Sequence, residues 1–344
     1  MRIAIISPPW FPVPPLGYGG IEWVVSLLAD GLVDAGHDVT LFASGDSRTK
    51  AKLAAAYRHA PSDRLGLSLP ELHHALACFE RADEFDVIND HSGPLAAALG
   101  VGVATPVVHT VHGPLLGEPG RIYEQIAAFA PHVGFISLSL NQRKPAPDLP
   151  WVATCPNALD LSAYPVSPHA GEYLLFLGRM STDKGAHRAI EVARATDLPL
   201  KIAGKMRDHA EKEYFEEYIR PNLRWGIEYL GEVDHMEKVN LLQNARATLF
   251  PIEWEEPFGL VMIESMACGT PVIATRWGAV PEVIADGRTG IVVDDASEMP
   301  DAIEAADRLD PLECRRYVEQ RFSAARMVDD YEEAYERVVA GVAA

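Results

Sequence analysis

EWEEPFGLVMIESMACGTPVIAT, residues 253–275, reads as the turn, helix and second strand of a βαβ unit. A short apolar run from Thr248 to Ile252 precedes it, Leu260 to Ala267 starts a helix, and Val272 to Thr275 is a second apolar run. Short buried runs separated by helical segments are the pattern of parallel strands joined by crossovers. In the turn, Pro257 fixes the backbone and Gly259 lets it approach a ligand closely. Ligands of open parallel sheets bind beyond the carboxyl ends of the strands, so this turn lies where chemistry is expected. Glu256 stands before the helix and Glu264 inside it, among the apolar Val261, Met262, Ile263, Met266 and Ala267. A carboxylate so embedded needs hydrogen-bond donors, and hydroxyl groups supply them.

The same alternation runs outward from this unit in both directions. Tyr173 to Leu177, Leu200 to Ala203, Ile227 to Leu230 and Gly290 to Val293 are further strands, with Ala186 to Thr196 and Lys238 to Ala245 as helices between them. Towards the N-terminus, Arg2 to Ser7, Asp38 to Ala43, Phe85 to Asn89, Pro106 to Val111, Val133 to Ser139 and Val152 to Cys155 read as strands. Ile21, Val24, Val25, Leu28 and Leu32 recur at helical spacing until Gly36. Two α/β, doubly wound, Rossmann-like domains facing a cleft follow, and 344 residues suit two cores. Residues 160–172, with two prolines and no period, read as the linker. The expected division is 1–165, 166–325 and a C-terminal segment, 326–344, packing back on the first domain. After Pro311 the chain reads as helix to its end.

A formal charge of -19 disfavours nucleic acid and broad adsorption to anionic lipid, leaving peripheral membrane contact open. One small diphosphate needs only two cations and some backbone amides. Cys78, Cys155, Cys268 and Cys314 are far apart without zinc-site spacing, which predicts reduced, buried thiols and a cytoplasmic setting. No apolar run is long enough to span a bilayer or to serve as a signal peptide.

Three more strand-end positions carry chemistry. Gly17, Gly19 and Gly20 lie between the first strand and the first helix, where amides can meet an anion or simply make a tight turn. Gly178, Arg179 and Lys184 follow another strand, and two cations there can neutralise a diphosphate. His91, His109 and His112 stand at or near strand ends of the first domain, suited to a sugar hydroxyl or a diphosphate oxygen. A metal site would need three or four convergent ligands.

With these residues in place, Glu256, Pro257, Phe258, Gly259 and Glu264 resemble the E-x7-E signature of the family 4 retaining glycosyltransferases, which have the GT-B fold. The order of the other pieces agrees: the N-terminal glycine loop, His112-Gly113, Pro156-Asn157, Gly178-Arg179, Lys184-Gly185, Ala203-Gly204, Leu230-Gly231, Gly269-Thr270-Pro271 and Pro281-Glu282. The resemblance implies transfer of a sugar from a nucleoside diphosphate sugar, UDP favoured, with retention and without a metal or other cofactor. The chain contains no D-x-D. Glu256 would hydrogen-bond the donor sugar, Gly259 and Leu260 would offer backbone amides to the sugar and diphosphate, Phe258 would belong to the same donor-binding set, and Glu264 would bind the ribose. Arg179 and Lys184 would neutralise the diphosphate with help from Gly19 and Gly20. Gly204, Lys205 and Gly231 would frame the nucleobase. His112 would sit near the sugar, and His91 and Asn157 on the acceptor side.

Three positions depart from the family pattern: Pro156-Asn157-Ala158, Gly278-Ala279, and Ala203-Gly204-Lys205-Met206, each replacing a flexible residue. The acceptor, whether small molecule, glycan or lipid-linked, is assigned only to loops of the first domain such as Gly113 to Tyr123. A sugar phosphorylase or nucleotide-sugar epimerase on the same architecture, or a non-catalytic nucleotide-binding protein, are the alternatives.

Overall fold

A computed structural model describes residues 1–17, 19–168 and 171–341. The chain divides into two compact units, Met1–Leu159 with Ala324–Ala344, and Asp160–Ser323. The first unit runs β1 (Arg2–Ile6), α1 (Gly20–Asp34), β2 (Asp38–Phe42), β3 (Lys52–Ala54), α2 (Ser68–Phe79), β4 (Val87–Asp90), α3 (Pro94–Leu99), β5 (Val107–Thr110), α4 (Glu118–Phe129), β6 (Val133–Ser137) and β7 (Trp151–Thr154). Among the described residues these strands form one parallel sheet in the order β3-β2-β1-β4-β5-β6-β7. Ile3, Ala4, Ile5 and Ile6 are all fully buried, as befits a strand covered by helices on both faces.

The second unit runs β8 (Tyr173–Leu177), α5 (Ala186–Thr196), β9 (Leu200–Ala203), α6 (His209–Tyr214), β10 (Ile227–Tyr229), α7 (His235–Gln243), β11 (Ala245–Phe250), α8 (Leu260–Ala267), β12 (Val272–Thr275), α9 (Val280–Val283), β13 (Gly290–Val293), α10 (Met299–Ala306) and α11 (Pro311–Arg321). Its parallel sheet has the order β10-β9-β8-β11-β12-β13. Strand order reverses direction between β1 and β4 in one sheet and between β8 and β11 in the other. Those switch points open the crevices in which doubly wound sheets bind ligands.

The last helix, α12 (Ala324–Val339), belongs to the first unit. It buries Met327, Val328, Tyr331, Ala334 and Tyr335 there. Val328 lies on Gly31 of α1 so closely that a Cβ at position 31 would come within 2.5 Å of its methyl group.

Several details differ from the sequence reading. The tail after Pro311 is two helices, because Phe322 leaves the helical region (φ -133, ψ 29) and ends α11. Its ring is buried edge-on to Phe258 at 5.7 Å and beside Tyr317 at 6.0 Å. The Gly113 to Tyr123 stretch is a loop only as far as Gly117, whose positive φ of 70 starts α4. Strand β3 was not expected, since its three residues carry no hydrophobic period. Helix α7 starts at His235 because Asp234 and Glu237 form a capping box, and Ala245 already belongs to β11. The four cysteines are buried and free. No described helix is long and apolar enough to cross a membrane.

Candidate functional site

In the second unit the chemistry-bearing turns follow β8, β9, β10 and β11, side by side at one edge of the sheet. Their backbones are tied together. Gly178 donates its amide to Ala203 O at 3.1 Å, and Gly204 donates to Gly231 O at 2.9 Å. Gly204 is obligatory here, because a Cβ would fall 1.7 Å from Gly178 O. Gly231 holds a positive φ of 78 with open space beside it.

Arg179 leaves this turn part-exposed, 3.5 Å from Glu211 and 3.8 Å from Asp183. Lys184, just before the Gly185 that starts α5, packs its ammonium 4.3 Å from the centre of the Trp254 ring and hydrogen-bonds Glu256 Oε2. Glu256 itself is buried. Its main chain is held by the turn after β12: Ala279 donates to Glu256 O at 2.9 Å, and a Cβ on Gly278 would stand 2.3 Å from Glu256 N. The glycine at 278 therefore lets two loops touch and fixes where the carboxylate emerges. Gly259 follows with a positive φ of 85 and starts α8, whose first residue is Leu260. Phe258 turns away into the core. Two cations, one carboxylate and the amide end of α8 thus share the switch point between β8 and β11.

Glu264 lies one helical turn into α8 and is buried. Its Oε1 accepts from the Tyr164 hydroxyl at 2.8 Å and from Lys238 Nζ at 2.6 Å. Both donors use one oxygen, so the second oxygen keeps its capacity to accept. Burial beside this carboxylate pushes the Tyr164 hydroxyl far above its ordinary range, so it remains a donor. Tyr164 comes from the stretch read as linker, where it is 5% exposed.

Lys205 follows β9 and is buried, which pushes its ammonium down to about 8; nearby Arg207 and Arg179 add to the effect while Glu211 and Glu232 oppose it. An amine poised near neutrality beside Arg179 responds to any anion that arrives.

In the first unit, Gly19 starts α1 with φ +151, and a Cβ there would meet Pro15 and Glu22 below 3 Å; Gly20 is the first helical residue. At the ends of β4 and β5 the histidines form two separate hydrogen-bonded groups. His109 Nδ1 bonds Asp90 Oδ2 at 2.5 Å and its Nε2 bonds the Tyr123 hydroxyl at 2.9 Å, all three buried. His91 bridges Asn89 Oδ1 and His112 Nε2. Burial pushes His91 well below the ordinary imidazole range and His112 down to about 3, so both are neutral at pH 7. Asn157 is buried, and its Oδ1 has no hydrogen-bond partner among the described residues.

Arg179, Lys184, Gly204, Lys205, Gly231, Glu256, Gly259, Leu260 and Glu264 therefore belong to adjoining turns of one sheet, and Gly19, Gly20, His91, His112 and Asn157 to the other unit. Sequence reasoning missed Tyr164, Lys238, Trp254, Asn89 and Tyr335. Tyr164, Lys238 and Tyr335 meet their partners through the fold, whereas Trp254 and Asn89 had a local signal, each standing two residues before a candidate residue, Glu256 and His91.

Solved structures share this architecture over nearly the whole chain. AviGT4, a glycosyltransferase involved in avilamycin A biosynthesis, superposes with a TM-score of 0.75 at 26% identity, covering 98% of each chain. Anabaena HepE, solved in complex with UDP, superposes with a TM-score of 0.76 at 18% identity, covering 98% of this chain and 100% of the other. The fold is that of the GT-B glycosyltransferases. The description "Glycosyl transferases group 1" matches residues 162–321, and "Glycosyltransferase Family 4" matches residues 18–145. The phosphatidyl-myo-inositol mannosyltransferase of Mycolicibacterium smegmatis is 28% identical over 339 residues, covering 88% of this chain and 84% of that protein. The chain belongs to the family 4 glycosyltransferases.

Proposed function

We propose that this glycosyltransferase takes its sugar from a nucleoside diphosphate sugar, UDP favoured, and transfers it with retention and without a metal ion. The observation that carries the reading is the pairing of Lys184 with Glu256 just before the start of α8, with Arg179 on the same turn after β8 as Lys184. Breaking the anomeric C–O bond puts negative charge on the departing diphosphate. Once the diphosphate is bound, Arg179, Lys184 and the α8 amides answer the charge that develops without further reorganisation, which is how such a barrier is lowered. When the diphosphate engages Lys184, Glu256 is released to accept a sugar hydroxyl. The open oxygen of Glu264 accepts from the ribose, and Gly204, Lys205 and Gly231 border the base. The acceptor hydroxyl forms its bond to the anomeric carbon on the face that the diphosphate leaves, and its proton passes to the departing phosphate oxygen. No separate base is needed on that route.

The fold is shared with Anabaena HepE, which was solved with UDP, and this supports UDP as the first probe. A melting panel with UDP, GDP, ADP and dTDP tests the donor site. At a hundred times its dissociation constant a ligand stabilises by about 2.7 kcal/mol, roughly 5–10 °C for domains of this size. The shift is expected with UDP and is expected to survive EDTA. No shift with any of the four would overturn the donor-site reading, and loss of the shift in EDTA would overturn metal independence. Phosphate-dependent release of sugar phosphate would instead identify a phosphorylase.

A further inference from the structure

We propose that Asn89 and His91, anchored by Tyr335 of the C-terminal helix, act as positioning residues that order the proton on His112 so that its Nδ1 is a fixed hydrogen-bond acceptor. Donors and acceptors along one chain of contacts leave each proton a single place. Asn89 Nδ2 lies 3.1 Å from Val108 O and 3.1 Å from Thr110 Oγ1. A carbonyl oxygen only accepts, so the nitrogen of the amide faces Val108 and the oxygen faces the other way. That oxygen receives the Tyr335 hydroxyl at 2.6 Å and faces His91 Nε2 at 2.8 Å. Since Asn89 Oδ1 cannot donate, His91 must carry its proton on Nε2.

His91 is buried at 1% exposure and neutral, so its Nδ1 holds a lone pair. The next contact, 2.9 Å to His112 Nε2, then requires His112 to donate. A neutral His112 protonated on Nε2 has a bare Nδ1, and that atom has no hydrogen-bond partner among the described residues. The rings support the arrangement: His91 lies between His112, with centroids 5.2 Å apart, and Tyr331, at 5.8 Å. Tyr331 also meets Thr110 Oγ1 at 3.3 Å, so two tyrosines of α12 brace the relay.

The consequence is a choice of ligand. A bare imidazole nitrogen accepts from a hydroxyl and repels an anionic oxygen, so His112 is set to meet a hydroxyl group of a ligand rather than an anionic one. This rests on the reading of His112 as a substrate-facing residue. The order of protons does not, and it can be measured without any ligand.

The test is long-range 1H–15N correlation of the histidine rings in the full chain at pH 7. His112 signals are assigned with His112→Gln. The expected pattern is Nε2–H for both His91 and His112. Asn89→Leu removes the acceptor that orients His91, and His91→Phe removes the acceptor of His112; in either, the His112 nitrogens should move toward averaged shifts of two exchanging tautomers. A merely structural role for Asn89 would leave the shifts of His112, two contacts away, unmoved. Wild-type His112 protonated on Nδ1, or an unchanged His112 tautomer in Asn89→Leu, would overturn the relay, and the wild-type spectrum decides even if a variant fails to fold. The substrate reading fails separately: UDP-glucose turnover in His112→Ala equal to wild type would remove His112 from the sugar and leave the tautomer result standing. Where both hold, Asn89→Leu lowers kcat/KM roughly tenfold, the worth of one misdirected hydrogen bond, with UDP affinity unchanged.

Discussion

Raising the pH through 8 is expected to weaken nucleoside diphosphate binding through Lys205. In the ligand-free protein, burial first and Arg207 next hold this ammonium down at about 8, against an ordinary 10.5. A diphosphate next to Arg179 places negative charge in the same neighbourhood and draws the value back up. Below pH 8 the lysine is charged with or without ligand, and affinity does not depend on its titration. Between about 8 and 10.5 the bound state holds a proton that the free state has lost, so affinity falls as pH rises. Full recovery, from about 8 back to 10.5, would weaken binding by roughly 300-fold across that window, and recovery of half of it by roughly 20-fold. The stability of the ligand-free protein moves the other way. A lysine with a lowered value in the folded state opposes folding below pH 8, and that opposition fades between 8 and 10.5. Calorimetric titration of UDP at pH 7, 8, 9 and 10, in buffers of different ionisation enthalpy, reads both affinity and proton uptake. Lys205→Met isolates the group, because the base of the nucleotide and other residues titrate equally in both proteins. The reasoning fails if wild type and Lys205→Met show the same pH slope, or if binding at pH 9 takes up no protons.

Glu256→Gln is expected to reduce sugar transfer far more than UDP affinity, since UDP carries no sugar for the carboxylate to hold; lost UDP affinity with normal turnover would reverse the assignment. Lys238→Met leaves the buried Glu264 carboxylate with Tyr164 as its one remaining donor among the described residues and should cost about 1–3 kcal/mol in urea unfolding, largely recovered in the double variant with Glu264→Gln. Tyr335→Phe removes one donor from Asn89 Oδ1 inside the first unit and should lower stability by about 1 kcal/mol by the same measurement. Gly204→Ala places a methyl group 1.7 Å from Gly178 O and should destabilise by about 3 kcal/mol, visible as a lower melting temperature.

The strands were legible because buried parallel strands announce themselves as apolar runs. Tyr173–Leu177, Leu200–Ala203, Val272–Thr275 and Gly290–Val293 lie where the runs lie. The failures share a cause. Lys52–Ala54 pairs only with β2 at the sheet edge and is largely exposed, so no hydrophobic period marks it. The tail reads as one helix because Phe322 continues the helical period of Tyr317 and Val318, yet Phe322 leaves the helical region with its ring against Phe258, 64 residues earlier in the chain. Pro119 looks like a loop residue in sequence, yet in the first turn of α4 it costs no hydrogen bond, so the loop is shorter than it reads.

The candidate site divides along the same physical line. Arg179, Lys184, Gly204, Glu256 and Gly259 were readable because one rule, chemistry after the carboxyl ends of strands, links chain position directly to place in the fold. The groups that set their states obey no such rule. Tyr164 reaches Glu264 across 100 residues, Lys238 across 26, and Tyr335 reaches Asn89 across 246. Lys238 is a lysine on a helix, where exposure is the ordinary expectation, Tyr164 lies in a stretch without period, and Tyr335 reads in sequence only as an apolar helix position with no partner indicated. Family likeness points to the positions proposed to touch a donor, but which oxygen of Glu264 is engaged and how Asn89 is held are decided by these distant partners, while the state of Lys205 follows from its own burial and from Arg207. Differences among family members in what they accept are therefore to be sought in such partner residues as much as in the signature itself. The turn after β9 is the case in this chain: Met206 stands where an A-G-x-G turn has its second glycine, and Lys205 puts a titrating group at the variable position beside it.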